Sequence, residues 1–239
     1  MARVLITRAE PEASATADLV AGMGHNPLVL PLTQTEALPE SLEDVQDLGG
    51  SRAGLFVVTS ARAIQVLADA GLSAWAAKQR WAVVGDRAVT LLADLGAELI
   101  APPAVNVAAL IDLLSDRSEP MIYLAAFDRK PALEARFARL QVIPIYRAKA
   151  LGGFDPAAIR RLRTDPPDQA LVYSARGAAL LTEAISKAGL SEPLRAMRWL
   201  CLSPDVAAHC PETVRGADGV KVADQPTQSA LLSLLPAPD

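Results

Sequence analysis

Short apolar runs alternate along the chain with amphipathic stretches, a pattern typical of α/β proteins. Between the runs, apolar residues recur at three- and four-residue spacing, as at Ile64, Leu67 and Ala68, which predicts helices. The runs are continuously apolar, so we expect parallel sheets covered by helices on both faces. The predicted strands are Arg3–Ile6, Pro27–Leu30, Gly54–Val58, Trp81–Val84, Glu98–Ile100, Met121–Leu124, Val142–Tyr146, Ala170–Tyr173, Trp199–Leu202 and Gly219–Val222.

An internal repeat is the strongest long-range pattern. The segment Val58–Arg62 matches Val172–Arg176: each follows an apolar run and opens a helix that ends at a glycine. Further matches follow in the same order, pairing Trp81–Gly85 with Trp199–Ser203, and Val107–Leu114 with Gln228–Leu235. Three ordered matches predict two similar α/β halves.

The position of the repeats predicts how the chain is divided. The first strand and helix lack repeat partners nearby, and the polar stretch Thr33–Ser51 carries no clear strand pattern. The second repeat begins only near Phe154. We therefore predict a discontinuous first domain, residues 1–33 plus 152–239, and an inserted second domain, residues 38–147, with chain crossings near 34–37 and 148–151.

Composition excludes several classes of function. The formal charge is −4 and only 4% of residues are aromatic, which argues against a nucleic-acid-binding surface. No apolar stretch reaches the ~20 residues that a membrane span needs, and no leader pattern precedes the first strand, so we expect a cytoplasmic protein. Two cysteines and two histidines support neither a disulfide framework nor a metal site. We predict that Cys201 is buried, that His25 lies in a turn and that His209 lies on a surface helix.

Small or hydroxylic residues follow the predicted strands. In open parallel sheets, ligands bind outside the carboxyl ends of the strands, where helix N-termini favour anions. Each such residue has a simpler interpretation as an ordinary helix cap, and only their concentration favours a binding site. Glycine-rich phosphate loops are missing, which disfavours a nucleotide-dependent enzyme. The candidates are Thr7, Arg8, Thr59, Ser60, Gly85, Ser174, Ala175 and Ser203.

Three tyrosines are distinguished by their positions. Tyr146 ends an apolar run at a predicted crossing, so its hydroxyl can face a cleft, although a tyrosine packed in a hinge is the simpler interpretation. Tyr123 and Tyr173 lie inside predicted strands, and we expect them in the core.

Taken in order, these segments resemble the uroporphyrinogen-III synthase family, and the resemblance extends over essentially the whole chain. Each motif is weak alone, and the ordered set is specific. The segments that carry it are Thr7-Arg8, Pro27–Leu32, Thr59–Ala63, Val84-Gly85, Tyr146, Tyr173–Ala175, Leu202–Ala207 and Pro226-Thr227.

The sequence departs from the family pattern at three places. Ala9 stands where a proline usually follows the Thr-Arg pair, and Arg62 replaces a usual asparagine. The loop that usually contains Arg-Gly reads Ala125-Ala126-Phe127-Asp128. A divergent paralogue that kept the fold and lost the reaction is therefore an alternative.

The resemblance implies two α/β domains joined by a two-stranded linker, with the active site in the cleft between them. It also implies a cofactor-independent hydro-lyase of tetrapyrrole biosynthesis. Such an enzyme cyclises hydroxymethylbilane to uroporphyrinogen III through a spirocyclic pyrrolenine, inverting ring D and losing water. The alternative is a non-catalytic tetrapyrrole- or anion-binding regulatory module with the same two lobes.

On this interpretation Tyr146 is the catalytic residue, which hydrogen-bonds the departing hydroxyl or steadies the pyrrolenine. The strand-end candidates, joined by Thr227, would bind the carboxylates of the substrate. No metal or cofactor is expected. We expect a monomer, with at most transient contact with hydroxymethylbilane synthase.

Overall fold

The structure is a computed structural model that describes residues 1–48, 54–215 and 219–237. The strands are β1 Arg3–Ile6, β2 Asn26–Val29, β3 Thr33–Ala37, β4 Leu55–Val58, β5 Arg80–Val83, β6 Glu98–Leu99, β7 Met121–Ala126, β8 Leu140–Ala150, β9 Gln169–Val172, β10 Arg198–Cys201 and β11 Val220–Val222. The helices are α1 Glu12–Gly22, α2 Pro39–Leu48, α3 Ala61–Asp69, α4 Ser73–Ala76, α5 Asp86–Asp94, α6 Val107–Leu114, α7 Ala132–Arg136, α8 Pro156–Thr164, α9 Ala175–Lys187, α10 Pro204–Ala208, α11 Glu212–Arg215 and α12 Gln228–Leu232.

The chain forms two compact units. Unit 1 contains Met1–Thr35 and Lys149–Asp239, and unit 2 contains Glu36–Ala148. The chain passes from one unit to the other within β3 and again within β8, so these two strands are the connection. The fold is thus the mixed α/β arrangement that the sequence predicts, and the two connecting strands agree with the linker that the resemblance implies.

Unit 1 is built on a five-stranded sheet in the order β11-β10-β9-β1-β2, and its pairs are parallel. Both faces of β1 are buried because its residues are all apolar except Arg3: Leu5 packs into the cluster under α9, and Val4 and Ile6 pack into the cluster beside α1 and α12. A strand covered on both faces needs this continuous apolar sequence.

Unit 2 is built on a six-stranded sheet in the order β3-β8-β7-β4-β5-β6. The pairs from β8 to β6 are parallel. Two apolar clusters cover the faces, one around Phe56 and Trp81 and the other around Leu55 and Leu110. The β7–β8 register shifts between Ala125 and Ala126, so the carboxyl end of this pair is irregular.

The polar stretch 33–51, which shows no clear strand pattern in the sequence, contains a strand and a helix. Thr33–Ala37 forms β3 and Pro39–Leu48 forms α2, while residues 49–51 lie outside the described part of the chain. The polar sequence of β3 fits its place at the end of the sheet order, where one of its edges pairs with no other strand of the described residues. The amide of Leu38 donates to the carbonyl of Ile145 and that of Leu151 to Leu32, so β3 and β8 run antiparallel.

The repeat occupies equivalent places in the two units. In unit 2, β4 leads through Ser60 into α3 and the glycine turn at Gly71; in unit 1, β9 leads through Ser174 into α9 and the turn at Gly189. Both glycines have positive φ, a conformation that terminates a helix without steric cost only for glycine. The matched tryptophans, Trp81 and Trp199, are both buried in the core. Sequence similarity here therefore reflects similar local structure.

Candidate functional site

Four hydroxyl-bearing residues of unit 2 lie close together near the carboxyl end of β4. Thr59 and Ser60 follow β4, Tyr123 belongs to β7, and Tyr146 belongs to β8. Since β4, β7 and β8 are consecutive in the sheet order and parallel, their carboxyl ends lie along one edge. We call Thr59, Ser60, Tyr123 and Tyr146 the hydroxyl cluster.

The side chain of Ser60 lies close enough to the phenol of Tyr146 to affect its protonation. Burial raises the pKa of this phenol above the ordinary value, and nearby Tyr123 adds to the rise, while the side chain of Ser60 and the charge of Arg62 oppose it. The net shift is upward, so the phenol keeps its proton at neutral pH. Tyr146 is therefore a neutral group that can donate a hydrogen bond, not a base.

Tyr123 is a core residue within a strand, as predicted, and it also makes a hydrogen bond that the sequence does not show. Its ring is buried, as expected of a core residue, but its hydroxyl lies 2.7 Å from Oγ1 of Thr59. Burial raises the pKa of Tyr123 as well. The sequence could not show this bond, because it depends on β7 pairing with β4 at the register that sets Tyr123 opposite Val57.

Ser60 combines two contacts. Its Oγ accepts a hydrogen bond from the amide of Arg62 at 3.2 Å, which caps α3, and its side chain also lies next to the phenol of Tyr146. The capping interpretation and a role in the site therefore apply to the same residue. The phenol of Tyr146 therefore lies beside the first turn of a nine-residue helix.

Gly85 lies after β5, next to β4, and has φ of 80°. Its amide donates to the carbonyl of Ala104 at 3.0 Å and its carbonyl accepts from Ala88. A side chain at this position would be strained whatever the space around it. Gly85 thus shapes the turn between β5 and α5.

In unit 1, Thr7 and Arg8 follow β1. The carbonyl of Thr7 accepts a hydrogen bond from the amide of Leu32, which extends the β1–β2 pairing. The guanidinium of Arg8 lies over the ring of Tyr173, 4.1 Å from its centroid. The sequence predicts Tyr173 as a core residue within a strand, but it follows the end of β9 and is only partly buried.

Three other predicted residues of unit 1 are helix caps. The amide of Gly177 donates to Oγ of Ser174 at 3.0 Å, that of Val206 to Oγ of Ser203 at 3.4 Å, and that of Ala230 to Oγ1 of Thr227 at 3.2 Å. Ala175 is the first residue of α9, which has 13 residues, whereas α10 and α12 have five each. Ser174, Ser203 and Thr227 therefore all act as caps, and a hydroxyl that accepts in this way still has a proton to donate.

The predicted residues thus form one set in each unit. Unit 1 holds Thr7, Arg8, Ser174, Ala175, Ser203 and Thr227, which follow its strands β1, β9, β10 and β11. Unit 2 holds Thr59, Ser60, Gly85 and Tyr146. Sequence reasoning missed Tyr123 and Tyr173, whose partners come from strands distant in sequence.

Cysteine and histidine do not add to either set. The Sγ atoms of Cys201 and Cys210 lie 3.5 Å apart in the core, and their hydrogen bond raises the pKa of Cys201, so this thiol is not a poised nucleophile. His25 follows the turn at Gly24 between α1 and β2, where its amide donates to the carbonyl of Val20; its side chain is buried, and its Nδ1 accepts from the amide of Ala2. His209 is exposed at the end of α10, as predicted. Across residues 1–48, 54–215 and 219–237, no group of three His, Cys, Asp or Glu side chains could hold a metal ion.

A family model described as uroporphyrinogen-III synthase HemD matches residues 14–233. The chain belongs to the uroporphyrinogen-III synthase family. This family consists of lyase-type enzymes of porphyrin and tetrapyrrole biosynthesis. The match includes Tyr146 and the whole hydroxyl cluster, and it begins after Thr7 and Arg8.

A solved structure of this family shows the same fold. A mutant uroporphyrinogen III synthase from the extremely thermophilic bacterium Thermus thermophilus is 22% identical, with 98% of this chain and 96% of that one covered and a TM-score of 0.53. The wild-type enzyme of the same bacterium is 23% identical over the same shares, with a TM-score of 0.46. No curated protein sequence matches the chain.

The departures from the synthase pattern lie beside the predicted site residues. Arg62 lies in the first turn of α3, where its amide contacts Ser60, and the carbonyl of Ala9 accepts from Ala13 as α1 begins. Phe127 extends from the end of β7 with 61% of its surface exposed, and its amide donates to the carbonyl of Tyr146 at 2.7 Å. The altered loop thus contacts the backbone of Tyr146 directly.

Proposed function

We propose that this chain converts hydroxymethylbilane to uroporphyrinogen III, inverting ring D and losing water, without a cofactor. The observation that carries the proposal is the phenol of Tyr146, which is protonated at neutral pH and lies next to Ser60, in a chain of this family. The reaction needs a hydroxyl to leave and a carbon–carbon bond to form, and it needs no oxidant or reductant.

The departing hydroxyl is the first group that the chain must assist. The electron-rich pyrrole expels it readily once a hydrogen bond or a proton reaches its oxygen. Tyr146 supplies that hydrogen bond, since its raised pKa keeps the phenol protonated, and Ser60 lies next to the phenol. General acid assistance of this kind typically contributes on the order of 100-fold or more to a rate.

Ring D must then attack through its substituted carbon. The spirocyclic pyrrolenine that forms reopens and recloses with ring D inverted, and a final proton loss restores the pyrrole. The unassisted substrate closes through the unsubstituted carbon, so selectivity requires that the tetrapyrrole is held in one conformation. Catalysis is in this sense largely positioning, which explains why few strong acids or bases are needed.

The carboxylates of the substrate are the groups by which it can be held. A chain with a net charge of −4 does not attract them by its overall charge, so local donors must do so. We assign this role to the guanidinium of Arg8 and to the hydroxyl protons of the capping and strand-end residues. Ala175 contributes a first-turn amide of α9, and Gly85 shapes its turn. The hydroxyl donors are Thr7, Thr59, Ser174, Ser203 and Thr227, while Ser60 contributes through its backbone because its hydroxyl proton faces Tyr146.

Among the described residues, no helix is long and apolar enough to cross a membrane. We infer that the protein acts as a monomer in the cytoplasm and that any contact with hydroxymethylbilane synthase is transient. Each unit has its own apolar core clusters.

An isomer assay tests the proposal. Hydroxymethylbilane is generated in place by its synthase, with and without this protein, and the oxidised products are separated by chromatography. We expect mainly the type III isomer, in proportion to the protein added. Type I product at the spontaneous rate would contradict the proposal, and tight binding without type III product would support a non-catalytic binding module.

A further inference from the structure

The partners of Arg8 among the described residues are neutral. Its guanidinium lies 4.1 Å from the centroid of the Tyr173 ring, and its Nη1 lies 3.4 Å from Oγ1 of Thr16 and 3.3 Å from Oε1 of Gln228. The sheet register explains the stacking: β1 pairs with β9 so that Ile6 lies opposite Leu171, and two residues further along Arg8 comes beside Tyr173.

The charge of Arg8 is not neutralised by a partner. Within the described residues, no carboxylate forms an ion pair with it, whereas Arg117, Arg129 and Arg147 are paired with glutamates. A half-buried guanidinium that is ordered by neutral groups keeps its full attraction for an incoming anion.

Tyr173 serves this arrangement through its ring. Its hydroxyl is buried and forms no hydrogen bond within the part of the chain that the structure describes. The flat face of the ring lies under the guanidinium, where the electron-rich surface attracts a cation. The aromatic face, and not the hydroxyl, is therefore the part of Tyr173 that fixes Arg8.

We propose that Tyr173 is a positioning residue whose ring holds Arg8 ready to bind a carboxylate of a tetrapyrrole ligand. Gln228 and Thr16 complete the support from α12 and α1. The identity of the ligand as hydroxymethylbilane rests on the proposed function. The preorganisation of Arg8 by Tyr173 does not rest on the proposed function, because it concerns the binding of any tetrapyrrole that carries carboxylates.

The experiment compares five variants in two assays. KM and kcat for hydroxymethylbilane come from the isomer assay, and the Kd of uroporphyrin I, a stable porphyrin with the same acetate and propionate groups, comes from ultrafiltration and absorbance. We expect Tyr173→Leu to raise KM and Kd about tenfold, because the free energy of a cation–π contact corresponds to about this factor in affinity. We expect kcat to change less than about twofold. Tyr173→Phe keeps the ring and should restore wild-type values.

A double-mutant cycle separates this role from a merely structural one. Arg8→Gln should raise KM and Kd at least as much as Tyr173→Leu, and the double variant should bind no worse than Arg8→Gln alone. Phe137→Leu, which removes a ring from beneath Arg136 in unit 2, is the matched control and should leave KM and Kd unchanged. Thermal melting of each variant shows that it is folded. If Tyr173→Leu does not fold, Gln228→Ala replaces it. We expect Gln228→Ala to raise Kd about threefold in the otherwise wild-type protein and not to raise it in the Arg8→Gln variant.

The outcomes distinguish this proposal from the proposed function. A wild-type protein that makes no type III isomer contradicts the proposed function alone, and the Kd values then decide the role of Tyr173. Equal Kd for wild type and Arg8→Gln would overturn the inference, as would additive effects in the cycle. A defect in Tyr173→Phe as large as in Tyr173→Leu would also overturn it, because the hydroxyl would then be the active part.

Discussion

The phenol of Tyr123 and the hydroxyl of Thr59 form a hydrogen bond of 2.7 Å between the neighbouring strands β7 and β4. Thr59 is the residue before Ser60, whose side chain lies next to the phenol of Tyr146. The bond therefore fixes the end of β4, from which the partner of Tyr146 extends.

Removing either hydroxyl of this pair should destabilise unit 2. We expect Tyr123→Phe and Thr59→Val each to lower the free energy of unfolding by about 1–2 kcal/mol, because each leaves a buried partner without its bond. The double variant should cost little more than one single variant, which gives a coupling energy of about 1 kcal/mol in urea unfolding. Strictly additive losses would show that the bond contributes nothing to stability.

The phenol of Tyr146 should matter for chemistry more than for binding. Tyr146→Phe removes the proposed donor to the leaving hydroxyl, so we expect kcat for the type III isomer to fall about 100-fold while KM changes little. The remaining product should shift toward type I. Full kcat with an unchanged isomer ratio in a folded Tyr146→Phe variant would exclude the hydroxyl from the reaction.

Two caps on helices of equal length separate stability from function. Ser60 caps α3 and Asp155 caps α8, each a nine-residue helix, with acceptor distances of 3.2 Å and 2.7 Å. Ser60→Ala and Asp155→Ala should each cost about 1 kcal/mol of stability. Only Ser60→Ala should lower kcat, by about tenfold, because Tyr146 loses its partner. Similar kcat values in the two variants would contradict the role given to Ser60.

Much of this arrangement is readable from the sequence. Continuous apolar runs indicate the parallel strands, and the repeat around Ser60 and Ser174 indicates equivalent strand–cap–helix units, because these features depend on local sequence. The hydrogen bond of Tyr123 and the stacking of Tyr173 are not predictable in this way, because each depends on which distant strand lies alongside. The edge strand β3 is not predicted from the sequence, because its residues are polar and lack the continuous apolar pattern of a buried strand.

Alkaline pH should destabilise the fold through the two buried phenols. Burial raises the pKa of both Tyr123 and Tyr146 in the folded state above the value of about 10 in the unfolded chain. Below pH 10 the folded and the unfolded chain both keep the phenol protons, so the free energy of unfolding has its full value. Above pH 10 the unfolded chain loses these protons first, so the free energy of unfolding falls as pH rises. Each phenol contributes a slope of up to about −1.4 kcal/mol per pH unit.

Urea unfolding at pH 9 and at higher pH measures this slope. Tyr146→Phe and Tyr123→Phe should each flatten it above pH 10 and leave it unchanged below pH 9. A wild-type slope that both variants share would place the titrating groups elsewhere in the chain.

Gly54 is required by a close approach of the backbone at the start of β4. A Cβ at this position would lie 1.8 Å from the carbonyl oxygen of Pro120, which also accepts the amide of Leu55 at 2.8 Å. Gly54→Ala must therefore push β4 away from the strand end beside it, at a cost on the order of 3 kcal/mol. Gly22→Ala, at the end of α1 with no atom near its Cβ, is the control and should stabilise by about 0.5–1 kcal/mol. Thermal melting of both variants checks the contrast. A Gly54→Ala variant as stable as the wild type would mean that β4 can shift without loss, and the hydroxyl cluster at its other end would then not depend on the position of this strand.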